Sequence, residues 1–220
     1  MIQLKADLLT LLYDNIERLD ERNEADRAGV YQILTVLENL SSKPSLLDRL
    51  GTDTKFVHWL LSRIQVKESK ISQNSQYTAE ILAILLQNSK SNRRVLTTVN
   101  GVDIILQLLS TYRNQDPAKG TDEEEYVENL FDSITCCIDE EEGKAQFVEA
   151  EGVELCLLML KAKFMSKDRA IRLLDHALGG PDGGQCCERL VDAAGLKSLF
   201  GMLMKKVRDS PIRVALHDPN

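Results

Sequence analysis

The stretch NGVDIILQLLS (100–110) decides the fold, because close variants of it recur along the chain. A glycine also precedes a leucine-rich helical segment in EGVELCLLMLK (151–161) and AGLKSLFGMLMKK (194–206). Steps of 50, 51 and 43 residues separate four such glycines, which are Gly51, Gly101, Gly152 and Gly195. Periods of about 40–47 residues are typical of armadillo and HEAT repeats, whose units bury their apolar faces only by stacking. The pattern predicts an all-α, armadillo/HEAT-type right-handed helical solenoid.

The helices around these glycines set the predicted domain organisation. Apolar residues at helical spacing predict long helices over about 24–41, 77–88, 123–138 and 166–178. We expect the array to begin in mid-repeat, with a first helix over about 2–19, and about four repeats to fill residues 1–207. Residues 208–220 contain two prolines and no helical periodicity, so we expect an irregular C-terminal tail there.

Composition argues against several functional classes. A net charge of −7 and an aromatic content of 5% disfavour direct nucleic-acid binding, which needs basic surface and stacking rings. The longest apolar runs, such as residues 81–86, are far shorter than the ~20 residues that a membrane span requires. The five cysteines lack the spacing of a zinc site, and no catalytic motif accompanies them. We therefore expect a non-enzymatic binding protein with no metal, no cofactor and no membrane association.

One segment is strongly acidic. Residues 122–142 contain ten acidic side chains and no basic one. Such a segment is most often a solvated helix face, which is the simpler interpretation. However, Asp122, Glu125, Asn129 and Asp132 recur at helical spacing, so they could form one acidic stripe towards a groove. An acidic stripe would attract basic peptides.

Six strings resemble the beta-catenin-like protein 1 family in the same order, over roughly residues 5–206. They are NIERLDERNEADRAGV (15–30), AEILAILLQN (79–88), NGVDIILQLLS (100–110), VENLFDS (127–133), EGVELCLLMLK (151–161) and LDHALGGPDG (174–183). The resemblance implies a nuclear armadillo-repeat protein of the splicing machinery, associated with the non-catalytic Nineteen complex. It also implies that the partners are splicing proteins, bound through basic nuclear-localisation-type segments. Family members carry further repeats, where the resemblance would place any oligomerisation.

Nuclear import adaptors bind basic peptides through a ladder of Trp and Asn side chains on their long helices. Its counterparts here would be Thr35 and Asn39, Ile81 and Leu85, Asp132 and Cys136, and Arg172 and His176. Only Asn39 matches, which disfavours the alternative of a karyopherin-like transport adaptor for basic cargo. The single tryptophan, Trp59, falls on a middle helix, where packing explains it better. The predicted partner-binding residues are Asn39, Glu125, Asn129, Asp132, Arg172 and His176.

Overall fold

The computed structural model describes residues 2–208, including the side chains of residues 8–202 and of Met204. Within this part of the chain, thirteen α-helices and a 3₁₀ helix (Thr111–Asn114) follow one another, and there is no strand. The α-helices are α1 Ile2–Ile16, α2 Glu24–Ser41, α3 Pro44–Thr52, α4 Thr54–Ile64, α5 Gln73–Gln87, α6 Lys90–Thr98, α7 Gly101–Ser110, α8 Asp122–Cys137, α9 Glu141–Glu149, α10 Gly152–Leu160, α11 Ser166–Leu178, α12 Gly184–Asp192 and α13 Gly195–Arg208.

The helices form triplets of a short first helix, a middle helix and a long third helix, as in α3–α4–α5, α6–α7–α8 and α9–α10–α11. The long helices α2, α5, α8 and α11 pack in succession, and so do the first helices α3, α6, α9 and α12. The middle helices α7, α10 and α13 form a third row. This arrangement confirms the armadillo/HEAT-type solenoid. The end of the repeat array stays a prediction, since the predicted tail lies outside the described residues apart from Arg208, where α13 ends.

A left-handed residue followed by a glycine joins the first and middle helices of a repeat. Glu151 has a φ of 57°, and Gly152 then begins α10. A Cβ atom on Gly152 would lie 2.4 Å from the Phe147 ring, so only glycine fits this close approach. The same combination recurs at Asn100–Gly101 and Ala194–Gly195. The recurring glycines therefore mark the sharp turn between two packed helices.

Gly51 is not equivalent to the other three glycines, although the spacing in the sequence groups all four. It lies inside α3, and α4 begins only at Thr54, after Asp53 has capped its N-terminus. A Cβ atom on Gly51 would lie 2.1 Å from Cγ of Asn92, whose amide also donates to the Leu85 carbonyl at 2.8 Å. Gly51 therefore allows α3 and α6 to pack closely.

An ionic cluster centred on the buried Arg63, at the end of α4, joins the segments around α2, α4 and α5. The Arg63 side chain is 8% exposed. Its Nη2 donates to Glu21 Oε2 at 2.9 Å and to Glu68 Oε1 at 3.2 Å, and its Nη1 donates to Ser75 Oγ at 2.7 Å. Glu21 precedes α2 and Ser75 lies in α5, so one guanidinium joins three successive segments. We call this set the Arg63 cluster.

Candidate functional site

Two ion pairs join the long helices α8 and α11, and a hydrogen-bonded contact joins α11 to Asp139, two residues after the end of α8. The three contacts are Glu128–Arg169, Asp132–Arg172 and Asp139–His176, at 2.5, 3.3 and 2.7 Å. All six side chains are between 29% and 53% exposed. We call this row the α8/α11 ladder. It contains three of the predicted site residues, Asp132, Arg172 and His176, and it lies open to solvent along the row of long helices.

The ladder changes the charge that was expected on this face. Arg172 pairs with Asp132, so the negative charge of that carboxylate is already partly neutralised by the next repeat. Asn129 lies one turn closer to the N-terminus of α8 and is partly buried. Glu125 is exposed in the first turn of α8 and makes no ion pair within the described residues. The face is therefore mixed in charge rather than acidic, and unpaired negative charge remains near Glu125.

The structure does not bring Asn39 to the other predicted site residues. Asn39 lies on α2, where its amide donates to the Thr35 carbonyl at 2.8 Å. Helix α5 packs between α2 and α8, and its predicted groove positions, Ile81 and Leu85, are 0% and 1% exposed. The interpretation of these two residues as groove positions was wrong, because both side chains are buried in the packed array.

A buried lysine fixes the end of the ladder. Lys144 on α9 is 5% exposed, and its ammonium donates to the carbonyls of Ala177 at 3.2 Å and Gly179 at 3.0 Å, and also to the His176 carbonyl. The last carbonyls of a helix lack partners within the helix, and a cation there also favours the helix dipole. Lys144 therefore caps α11 and holds the backbone of His176 in place.

A family model described as "Catenin-beta-like, Arm-motif containing nuclear" matches residues 2–215. The chain belongs to this family. The "Beta-catenin-like protein 1 homolog" of Schizosaccharomyces pombe is 44% identical over 203 residues, and the human "Beta-catenin-like protein 1" is 36% identical over 203 residues. Each alignment covers 92% of this chain but 36% of the relative, so the chain spans about a third of these proteins. The resemblance inferred from the six strings is confirmed.

Solved structures agree on the architecture. Two engineered proteins, described as targets of the Northeast Structural Genomics Consortium, superpose on this catenin-beta-like chain with TM-scores of 0.64. They cover 87% and 88% of it at 20% and 16% sequence identity. At such identity the likeness bears on the fold alone, and it supports the helical repeat.

The cysteines of this family member lie mostly in the core. Cys137, Cys156 and Cys186 are buried and Cys187 is exposed, and all are free thiols. Burial raises the pKa of Cys137 and Cys156, which keeps these thiols protonated and unreactive at neutral pH. Within the described residues, no three His, Cys, Asp or Glu side chains are grouped to hold a metal ion. No single helix of this part is long and apolar enough to cross a membrane, although the bent pair Lys90–Thr98 and Gly101–Asn114 passes that test jointly.

Sequence reasoning missed half of the ladder. Glu128, Asp139 and Arg169 were not among the predicted residues, although Glu128 and Arg169 form an ion pair and Asp139 shares a hydrogen bond with His176. The paired residues are 41, 40 and 37 positions apart, which is close to one repeat length. Acidic residues on one long helix and basic residues at matching positions of the next were the signal that would have revealed the ladder.

Proposed function

We propose that this chain is part of a non-enzymatic nuclear scaffold of the pre-mRNA splicing machinery, associated with the Nineteen complex. In this proposal it binds splicing proteins through their basic, nuclear-localisation-type segments. The observation that carries it is the half-exposed α8/α11 ladder, in a chain whose family is described as nuclear and armadillo-containing. Armadillo-type arrays present extended surfaces for binding, and the ladder lies along one row of such a surface.

A basic segment can bind the ladder by exchanging one ion pair for another. A lysine or arginine of the partner would first meet the unpaired Glu125, and a second would replace Arg172 at Asp132. Since an exposed ion pair contributes only ~0–1 kcal/mol, such an exchange costs little, and several contacts must act together. The amide of Asn129, between these two carboxylates along α8, would hydrogen-bond the backbone of the segment. Binding should weaken as salt concentration rises.

The alternative, a karyopherin-like transport adaptor for basic cargo, has less support. Its peptide ladder needs open positions on consecutive long helices, whereas Ile81 and Leu85 are buried on α5. Trp59 lies on the middle helix α4, where its ring stacks on Phe56 with centroids 6.3 Å apart. A tryptophan held in this way packs within the array, so the scaffold role is the one we favour.

The test is a titration of the chain with a basic nuclear-localisation-type peptide from a splicing factor, beside a scrambled peptide of equal charge. Glu125→Lys should weaken binding of the native peptide by about fivefold, because it replaces an attraction worth up to ~1 kcal/mol with a repulsion. Glu149→Lys on α9 is the matched control, since it makes the same change of charge at another exposed glutamate.

The proposal requires the native peptide to bind more tightly than the scrambled one, and Glu125→Lys to have the larger effect. Equal binding of both peptides, or equal effects of both variants, would mean that the acidic residues only attract positive charge in general. Thermal melting of each variant checks that the substitution in the first turn of α8 leaves the array folded.

A further inference from the structure

Two grooves lie between successive middle helices, and their charges are opposite. The groove between α7 and α10 is lined by three carboxylates and one guanidinium, from Asp103, Glu151, Glu154 and Arg113. The groove between α10 and α13 has a volume of about 670 Å³ and is lined by four lysines, which are Lys161, Lys163, Lys167 and Lys197. We call the second one the lysine groove. Equivalent places in consecutive repeats therefore present different chemistry.

The four lysines make no ion pair within the described residues. Other basic side chains between repeats are neutralised, such as Arg93, which pairs with Glu140 at 2.7 Å. The chain has 34 acidic and 27 basic residues, so carboxylates are plentiful, yet none in the part of the chain that the structure describes pairs with these lysines. Like charges gathered around one concave surface repel one another, and a negatively charged ligand relieves that repulsion.

The floor of the lysine groove is apolar. Leu157 and Leu160 on α10 and Met202 on α13 line it, and both leucines are 6% exposed. The methylene stems of the lysines extend this apolar surface while their ammonium groups remain in water. A ligand that fits must therefore bring apolar side chains as well as negative charge.

The lining residues favour a peptide over a nucleic acid. Single-stranded nucleic acids bind through aromatic side chains that stack on bases, and arginine grips phosphate with two parallel hydrogen bonds. Neither residue type occurs among the described residues that line the lysine groove. We propose that the lysine groove binds an acidic segment of a partner protein, in which apolar side chains contact Leu157, Leu160 and Met202 while carboxylates pair with the lysines.

This inference is independent of the proposed function. The lysine groove lies on the row of middle helices, the α8/α11 ladder lies on the row of long helices, and the two ligands have opposite charge. A chain with both surfaces can hold a basic and an acidic segment at once. If the basic peptide failed to bind the ladder, the proposal for the lysine groove would still stand. If the acidic peptide failed to bind the lysine groove, the proposed function of the ladder would likewise still stand.

The experiment is fluorescence anisotropy of the chain with a labelled acidic peptide in which Asp and Glu alternate with Leu and Phe. A second peptide replaces its apolar residues by serine, and a single-stranded RNA of equal charge is the third probe. The double variant Lys163→Glu/Lys197→Glu should weaken binding of the acidic apolar peptide by about tenfold, because it removes two attractions and adds two repulsions between exposed charges. The milder pair Lys163→Gln/Lys197→Gln should give a smaller loss.

The matched control is Lys55→Glu/Lys119→Glu, which makes the same change of net charge at two exposed lysines outside the groove. This control should leave binding within about twofold of the unchanged chain at moderate salt, because distant exposed charges are screened. The proposal is overturned if both double variants weaken binding equally, if the serine peptide binds as tightly as the apolar one, or if the RNA binds more tightly than either peptide. Circular dichroism confirms that each variant keeps its helicity.

Discussion

The Arg63 cluster and the α8/α11 ladder use the same chemistry in opposite settings. The Arg63 side chain is 8% exposed and contacts Glu21, Glu68 and Ser75 together, whereas the Arg172 side chain is 51% exposed and its one ion pair, with Asp132, measures 3.3 Å. An ion pair whose guanidinium is buried and shared between several segments, which we call closed, holds those segments in place. An ion pair that is open to water can exchange its partner at little cost, so the ladder is the part suited to binding.

The difference arises from the number of segments that each site joins. Arg63 connects residues 42 positions earlier and 12 positions later, so its partners come from a loop, a turn and a helix that enclose it. Each ladder pair connects α11 only with α8 or with the turn that follows α8, and one side stays in solvent. Breaking the first should damage the array, and breaking the second should change what the array binds.

The largest effect is expected from Arg63→Met, which keeps much of the apolar stem but removes the charge. It leaves Glu21 and Glu68 without their cation, and breaking a buried ion pair in this way typically lowers the free energy of unfolding by about 3–5 kcal/mol. Urea denaturation followed by circular dichroism measures the loss. Arg172→Met is the matched substitution on the ladder, and equal losses in the two variants would contradict the distinction between closed and open pairs.

An intermediate effect is expected from acid. Burial acts to raise the pKa of Glu68, but hydrogen bonds from the Ser72 N–H and the Ser75 hydroxyl, with the charge of Arg63, hold it below the ordinary value of 4.5. Burial likewise acts to raise the pKa of Glu140, and hydrogen bonds from Lys90 and Arg93 lower it. A carboxylate with a lowered pKa stabilises the fold above its ordinary pKa, and this stabilisation is lost as the pH falls through the lowered value.

The melting temperature should therefore fall as the pH drops below about 4.5, the ordinary value for glutamate. Glu140→Gln should lower the melting temperature at neutral pH and flatten its decline in acid, because the substituted residue no longer titrates. Glu149→Gln, at an exposed glutamate with no ion pair among the described residues, should leave the profile unchanged. If the melting temperature of Glu140→Gln declined in acid as steeply as that of the unchanged chain, Glu140 would not contribute to the loss of stability in acid.

Much of the fold could be predicted from the sequence, because its signals are local. The apolar spacing over 24–41 and 166–178 predicted helices with the bounds that α2 and α11 have. The glycine after each short helix correctly marked three of the junctions. Gly51 does not mark a junction. A glycine is required there because Asn92 packs against it, and no local pattern shows which distant side chain a glycine contacts.

The candidate site was harder to predict, because it depends on how repeats stack. The sequence showed an acidic stripe on α8 but not that Arg172 would neutralise Asp132 from the next long helix. It also could not show that α5 packs between α2 and α8 and that its Ile81 and Leu85 are buried. Both results follow from the rotation of one repeat against the next, which is set by the whole packed core rather than by the residues of one helix.

The smallest effect on stability, and the sharpest test of the comparison, is expected from the ladder itself. Arg172→Ala should change the free energy of unfolding by at most ~1 kcal/mol, because the pair that it removes is half-exposed. The same variant frees the carboxylate of Asp132, so it should tighten binding of a basic segment, whereas Asp132→Asn should weaken it. Paired titrations of the two variants with one basic peptide measure this opposition. If both substitutions changed the affinity in the same direction, Asp132 would not be a contact for the basic segment. Opposite changes at nearly constant stability would show that Arg172 occupies the position that a basic side chain of the partner takes on binding.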